Sequence, residues 1–586
     1  MLRKLTLTFP LILLALSQST TEADDWSRFR GPSGSGVAQN HPKGSLPAQW
    51  SPDANLGWKT EMPGPGASSP IIVDGKAFIT CYSGYGLTQD SPGDIENLVR
   101  HLVCVDLKTG KKLWQKDVKA ALPEDPYSGI GVTAHGYASH TPVSDGKNVY
   151  AFFGKSGVHA FDMDGNELWQ ADVGTESDPA KWGSSSSPVV YENILIVTAS
   201  AEGQAIIGFD KETGKEIWRQ EAEGLDGMWG TPTLVKIDDE RTDLVMCVAK
   251  ELWGMDPSTG KLRWFADATG AQQAYSSVVL DGNRIFAVTG RGGGSIALDA
   301  GGSGDVSKAN TVWTGRDNGS FASPVLHDSK LYSVSRGIVT VIDAKTGERI
   351  EQVRIKGGQQ TGGRFGSLDY PSPIVVGDQL FYLNGSGQMF VFDTGETLKQ
   401  VAVNRVTGDK EIFWGTPAVA DNCLVLRSSK HLYCVTDKSE TVSTESTLGE
   451  KSEAESEAPP AGGGGRSGGR SGGGPGGGGG GSRFDPMTMF NGMDANKDGS
   501  VTEEELEGNR MADRLKTLDK DGDKAISKDE FSSGISSLFS RGGGGGASGG
   551  RGGGRSGGRS GGGGGYGGRG EDTRPDRPQR PKSAGN

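Results

Sequence analysis

A small residue followed by Pro, then a strand pattern, a turn and a second strand pattern, returns eight times along the chain. No other feature restricts the fold as strongly. The copies centre on Pro70, Pro142, Pro188, Pro232, Pro324, Pro373 and Pro417, with Val278 once in the place of Pro. Beyond a longer first interval they lie 44–49 residues apart, the period of a four-stranded propeller blade. The longer interval places an insertion in the first blade.

A second signature alternates with the first. It reads Asp106-Leu-Lys-Thr-Gly110-Lys-Lys-Leu-Trp114, Asp210-Lys-Glu-Thr-Gly214-Lys-Glu-Ile-Trp218 and Asp256-Pro-Ser-Thr-Gly260-Lys-Leu-Arg-Trp264. Looser copies run from Asp162 to Trp169 and from Asp299 to Trp313, and others near Asp343 and Asp393 lack the Trp. Asp can accept from backbone N–H groups two residues on, and Gly takes the positive φ of a tight hairpin. The Trp brings a large apolar surface to the contact between neighbouring blades. Short runs such as Ile71-Ile-Val, Leu195-Ile-Val and Leu380-Phe-Tyr-Leu, between Gly, Asp and Asn turns, suit strands. Trp58 has the outer-strand pattern without a preceding turn, and the last copy lacks a following Trp strand. The N-terminal strand is therefore expected to complete the final blade. The expected fold is mainly β, an eight-bladed propeller, with seven blades as the alternative because the copies after Asp299 are degraded.

These residues resemble the PQQ-like β-propeller repeat family, in which an Asp-x-x-x-Gly-Lys-x-x-Trp element docks one blade on the next. The likeness covers roughly residues 26–437. The family includes quinoprotein alcohol dehydrogenases and the non-enzymatic outer-membrane assembly protein BamB, so the resemblance implies a fold and leaves the chemistry open. Its dehydrogenases hold PQQ with vicinal cysteines, a stacking Trp and a calcium ion. This sequence has no Cys-Cys pair and no Cys-x-x-Cys-His haem site, which argues against PQQ catalysis. A PQQ-dependent or other oxidoreductase stays as the alternative reading.

Residues 1–23 read as an export signal: Arg3 and Lys4, an apolar run from Leu5 to Leu16, then small and polar residues before Asp24. No later run reaches transmembrane length. Five cysteines do not make a disulfide scaffold. With Ser428-Ser429 as a two-residue hairpin turn, Cys423 and Cys434 face each other, and either a disulfide or two buried thiols fits. Cys81 and Cys104, on consecutive strand patterns, are a second candidate pair. The net charge of −12 argues against a nucleic-acid binder. Two of the seven histidines, His135 and His140, share the Gly-rich insertion. Ordinary loop or core positions suit them better than a metal site, since no third ligand is apparent. The aromatics Trp182, Trp229, Tyr275, Phe321, Tyr370 and Trp414 precede the repeat elements once per blade. They are read mostly as structural, with some lining a face for a peptide or sugar.

The propeller is assigned to residues 24–440. Residues 441–482 pass from Ser/Thr/Glu-rich to Gly/Arg-rich, and 541–586 repeat the Arg-Gly-Gly theme; both are expected to be disordered. Between them, 483–540 carry an EF-hand pair. In Asp494-Ala-Asn496-Lys-Asp498-Gly499-Ser500-Val-Thr502-Glu-Glu-Glu505, oxygen side chains stand at positions 1, 3, 5 and 9, Gly at 6 and Glu at 12. Calcium needs that density of oxygen ligands, and position 7, Ser500, serves through its carbonyl. The second loop supplies Asp519, Asp521, Asp523, the Ala525 carbonyl, Ser527 and Glu530, but Lys524 replaces the Gly, so weaker binding is expected. Thr502-x-x-Glu505 and Ser527-x-x-Glu530 also read as helix-starting capping boxes. The whole reads as a secreted or periplasmic calcium-binding interaction or scaffolding protein rather than an enzyme. Its expected partner is another envelope or extracellular protein, or a polysaccharide.

Overall fold

In the computed structural model the described residues are 25–438, save 39–40, 42–43, 129–131, 180, 223–224, 271–272, 291–292, 320 and 359–369, together with 490, 496, 498–502, 505–506 and 515–539. The expected signal, the linker and the tail lie outside them. Eight antiparallel sheets, each with four meander strands, form a propeller. Blade 3 shows the pattern: Val189–Tyr191, Ile194–Ala199, Ala205–Asp210 and Glu216–Glu221 pair in sequence order from the channel outward. The two middle strands are almost wholly buried because each is covered by a neighbouring blade on both faces. In the outer strand Trp218 is buried between exposed neighbours.

The last blade contains Ala418–Ala420, Cys423–Arg427 and His431–Val435, and its fourth strand is the N-terminal Leu56–Glu61. Trp58 stands opposite Cys434 in this pairing. The two ends of the propeller are thus joined within one sheet, as the complementary lack in the sequence implied, and the blade count is eight.

The repeated turn explains how blades seat on one another. Asp106 Oδ1 accepts from Thr109 N at 2.8 Å, and Asp210 Oδ1 from Thr213 N at 2.9 Å. Gly110 and Gly214 adopt φ of +73° and +71°, and the Trp of the preceding blade lies flat against each. Trp58, Trp114, Trp169, Trp218 and Trp313 donate through Nε1 to carbonyls in the next blade's turn, those of Leu107, Met163, Lys211, Pro257 and Ala344. Trp264 departs from the pattern, although its own repeat is among the most complete. Its indole donates to Asp243 Oδ2 at 2.7 Å within its own blade. The next blade has no Thr-Gly turn there; Gly304–Asp305 instead adds a short parallel strand beside Trp264 and Phe265. In blade 6 the Trp position holds Glu351, whose Oε1 accepts from Leu398 N at 2.7 Å.

The cysteine expectations divide. Cys423 and Cys434 form a disulfide with Cα atoms 5.8 Å apart. The two-residue turn does not form: Arg427 pairs with Leu432, and Cys434 faces Val425. Cys81 and Cys104 are buried free thiols, because Cys81 pairs with His101 and Cys104 with Phe78.

The segment at 490–539 belongs to a separate compact unit. Ser500–Thr502 pairs antiparallel with Ala525–Ser527, and a helix follows over Lys528–Phe539. Phe490, Val501, Leu506, Leu515, Leu518, Ile526 and Phe531 form its core. Among the described residues no helix is long and apolar enough to cross a membrane.

Candidate functional site

Each blade's first strand begins beside the central channel at the repeated small-residue–Pro element. The residue immediately before the Pro, or before Val278, is Ser or Thr in all eight copies. These hydroxyls accept backbone N–H groups from the blade before. Ser69 N donates to Thr141, Thr141 N to Ser187, Ser187 N to Thr231 and Thr231 N to Ser277. Ser277 N then donates to Ser323, Ser323 N to Ser372, Ser372 N to Thr416, and Thr416 N back to Ser69. All eight distances are 2.9–3.0 Å. The belt closes on itself and satisfies eight buried N–H groups that no strand pairing reaches. The sequence reading noted the small residue but missed this role; the invariant hydroxyl was the available signal.

Two residues before the hydroxyl, blades 4 to 8 carry Trp229, Tyr275, Phe321, Tyr370 and Trp414, whereas blades 1 to 3 carry Ala67, Ser139 and Ser185. The aromatics do converge. Ring centroids from Trp182 through Trp229, Tyr275 and Phe321 to Tyr370 are 6.4, 5.2, 5.0 and 4.7 Å apart. Trp229 and Tyr275 are nearly parallel, and Trp229 Nε1 is held by the Gly183 carbonyl at 2.9 Å. On the side with small residues, His135 and Trp182 reach in from longer loops. Together with the hydroxyl belt these rings enclose a mouth of about 160 Å³.

Phe29 lines the same space, and it arrives on the N-terminal segment. Trp26 bridges Ile72 of blade 1, and Ser27 O accepts from Ser144 N of blade 2 at 2.9 Å. Arg28 donates to Pro232 O of blade 4 at 3.0 Å, and Arg30 donates to Pro324 O of blade 6. Val37–Ala38 then pairs parallel with Val375–Val376 of blade 7. The segment therefore crosses the channel from blade to blade as a plug. Trp26 and Arg30 are at most 1% exposed, and desolvation lowers the guanidinium pKa values of Arg28 and Arg30 to about 10 and about 9. Nothing in the sequence pattern had marked this segment.

His135 and His140 lie at the mouth and beside it. His135 is bonded to Ser139 Oγ at 2.5 Å and the Trp182 carbonyl at 2.6 Å. His140 Nε2 is 2.9 Å from Ser184 Oγ. Burial lowers both imidazole pKa values, that of His140 to about 3. Both imidazoles are neutral and hydrogen-bonded. Glu202 closes this chain by accepting from Ser184 Oγ at 2.6 Å, a residue the sequence gave no reason to single out.

In the separate C-terminal unit, Asp494 lies outside the described residues. Asn496 N and Thr502 N donate to the two oxygens of Glu505 at 3.2 and 2.9 Å, and Asp498 Oδ1 accepts from Ser500 N at 2.9 Å. The second loop repeats the arrangement: Lys520 N and Ser527 N donate to Glu530 at 2.8 and 2.9 Å, and Ala525 N donates to Asp523 at 2.8 Å. Those backbone donors hold the Glu530 carboxyl down at about 2. One oxygen each from Asp519, Asp521 and Asp523 falls within a 4.8 Å cluster able to hold a cation. Lys524 takes the position and the φ, +68°, that Gly499 takes at +93° in the first loop.

The sequence profile of the family described as "Outer membrane protein assembly factor BamB" matches residues 99–353 and again 304–446, together more than half of the chain. No curated protein matches in sequence. Among solved structures, BamB from Moraxella catarrhalis is similar at 12% identity and a TM-score of 0.46, over 66% of this chain and 98% of its own. The quinohemoprotein alcohol dehydrogenase from Comamonas testosteroni is similar at 11% identity and a TM-score of 0.48, over 80% of this chain and 84% of its own. A europium-containing methanol dehydrogenase matches at 11% and 0.46, over 69% and 90%. Likenesses this distant, to a protein named for assembly and to two named for oxidation, do not choose between those roles. By its sequence match, the chain belongs to the outer membrane protein assembly factor BamB family.

Proposed function

We propose that the chain is an extracytoplasmic interaction protein, exported through its N-terminal segment. Its channel mouth is the recognition surface, and it carries a calcium-binding EF-hand pair beyond a Gly-rich linker. One observation carries this reading: the mouth is closed beneath by the Arg28-Phe29-Arg30 segment and lined by aromatic rings and hydroxyls already committed to backbone N–H groups. Such a surface offers apolar and edge contacts to a peptide side chain or a sugar face. The mouth does not fit a calcium-held quinone. Among the described residues its lining includes no carboxylate, no amide and no cationic side chain, and the sequence has no adjacent cysteines.

Calcium belongs to this reading through the two acidic loops. Titration of the full chain by calorimetry should reveal about two sites, in the 10⁻⁴–10⁻³ M range common for extracellular modules. Glu505→Gln should remove the tighter one, and an isotherm unaltered by that substitution would show the ligands misassigned. Incubation with PQQ and calcium should leave the protein colourless. A bound chromophore with dye-linked alcohol oxidation would replace this reading with the oxidoreductase.

A further inference from the structure

Beside the mouth lies a second, polar cavity of about 40 Å³, lined among others by Arg100, Glu124, Asp125, His140, Lys155 and Glu202. His135, Ser139 and Trp182 line both spaces, so the cavity opens where the aromatic arc begins. Its walls are almost fully satisfied. Arg100 pairs with Glu124 and donates to Tyr137 O and Ser156 Oγ, each at 3.0 Å. Lys155 pairs with Asp125 at 3.2 Å and donates to Ser177 Oγ at 2.7 Å. Glu202 is the exception. It is 4% exposed, Ser184 donates to its Oε1, and its Oε2 has no hydrogen-bond partner among the described residues.

We infer that this cavity receives the ammonium head of a ligand whose aromatic or apolar body rests in the channel mouth, with Glu202 as the anchoring residue. This rests on the reading of the mouth as a recognition surface and names the ligand class. Among the described residues lining the cavity, the two ion pairs cancel in charge, both histidines are neutral and Glu176 is exposed, so the Glu202 carboxylate is the one buried charge there without an ion-pair partner. Burying a lone carboxylate is costly, whereas a cation with N–H donors relieves both the charge and the open oxygen. A hydroxyl or a water would fill the hydrogen bond without neutralising the charge. The space suits a head about the size of a water molecule.

Desolvation raises the Glu202 carboxyl to about 7; the Ser184 hydroxyl and Arg100 oppose the rise, and Glu124 adds to it. Below pH 7 an ammonium must displace a proton from Glu202, so its affinity should fall as the pH falls. The test uses the full chain and two probes with the same ring, 2-phenylethylamine and 2-phenylethanol. By calorimetry the amine should bind about tenfold more weakly at pH 6 than at pH 8, with proton release at the lower pH, while the alcohol shows no pH step. At pH 8, Glu202→Gln should weaken the amine at least about tenfold (about 1.4 kcal/mol) and leave the alcohol unchanged. If Glu202→Gln does not fold, the pH step and proton release of the unaltered chain decide the matter. If both probes bind and the amine shows neither a pH step nor sensitivity to the substitution, the anchor is refuted while the mouth stands. If neither probe binds, both readings fall.

Discussion

At the scale of single residues, blade docking turns on one glycine per turn. A Cβ on Gly214 would lie 2.5 Å from the Trp169 ring, at a φ of +71°. Any larger residue therefore meets both a disfavoured backbone and a clash with the preceding blade. Gly214→Ala should cost about 2–4 kcal/mol, visible as a lower midpoint in denaturant and as altered tryptophan emission. The Asp, Thr and Gly of this turn could be read directly from the sequence because their bonds are local. The Trp264 indole could not, since its acceptor is Asp243 of its own blade and not a carbonyl in the next blade's turn. Glu351 docks by accepting a hydrogen bond where its homologues donate one, a substitution the pattern registered only as a lost Trp.

Among elements, the first strands of the eight blades are linked by the hydroxyl belt rather than by sheet hydrogen bonds. Removing one acceptor strands a buried backbone N–H, which costs about 1–3 kcal/mol. Ser277→Ala should show that loss, because Thr231 N has Ser277 Oγ at 3.0 Å as its acceptor. Ser277→Thr should be close to neutral, since Thr fills the same role at 141, 231 and 416. Thermal unfolding of the two variants side by side checks this, and equal midpoints would show that the belt contributes little. Strand existence and blade period followed from alternation and turn residues. Register did not: a hairpin loop longer than expected moved Cys434 opposite Val425, yet left the thiols close enough to bridge diagonally. Cys81 and Cys104, three register positions apart, were not.

For the whole molecule, closure and plugging both depend on the N-terminal region. Leu56–Glu61 completes the last blade, and Trp26 to Ala38 spans the channel across blades 1, 2, 4, 6 and 7. Deleting residues 25–38 exposes apolar surface on the blades that Trp26 and Val37 cover. The midpoint of thermal unfolding should fall by roughly 5–10 °C, with the far-ultraviolet circular dichroism of the sheets retained. An unchanged midpoint would mean that the segment contributes little to the stability of the ring.

The sequence alone determined the repeat, the four-stranded unit, the joining of first and last strands and the ligand-type spacing of the acidic loops. All of these are written in short-range periodicity and local turn chemistry. Only the tertiary structure decided that the rings from Trp182 to Tyr370 form one arc, that Phe29 floors the mouth and that Glu202 is buried with an open oxygen. Those facts join residues from blades far apart in the chain, and their physical content is proximity and desolvation, which no local pattern encodes.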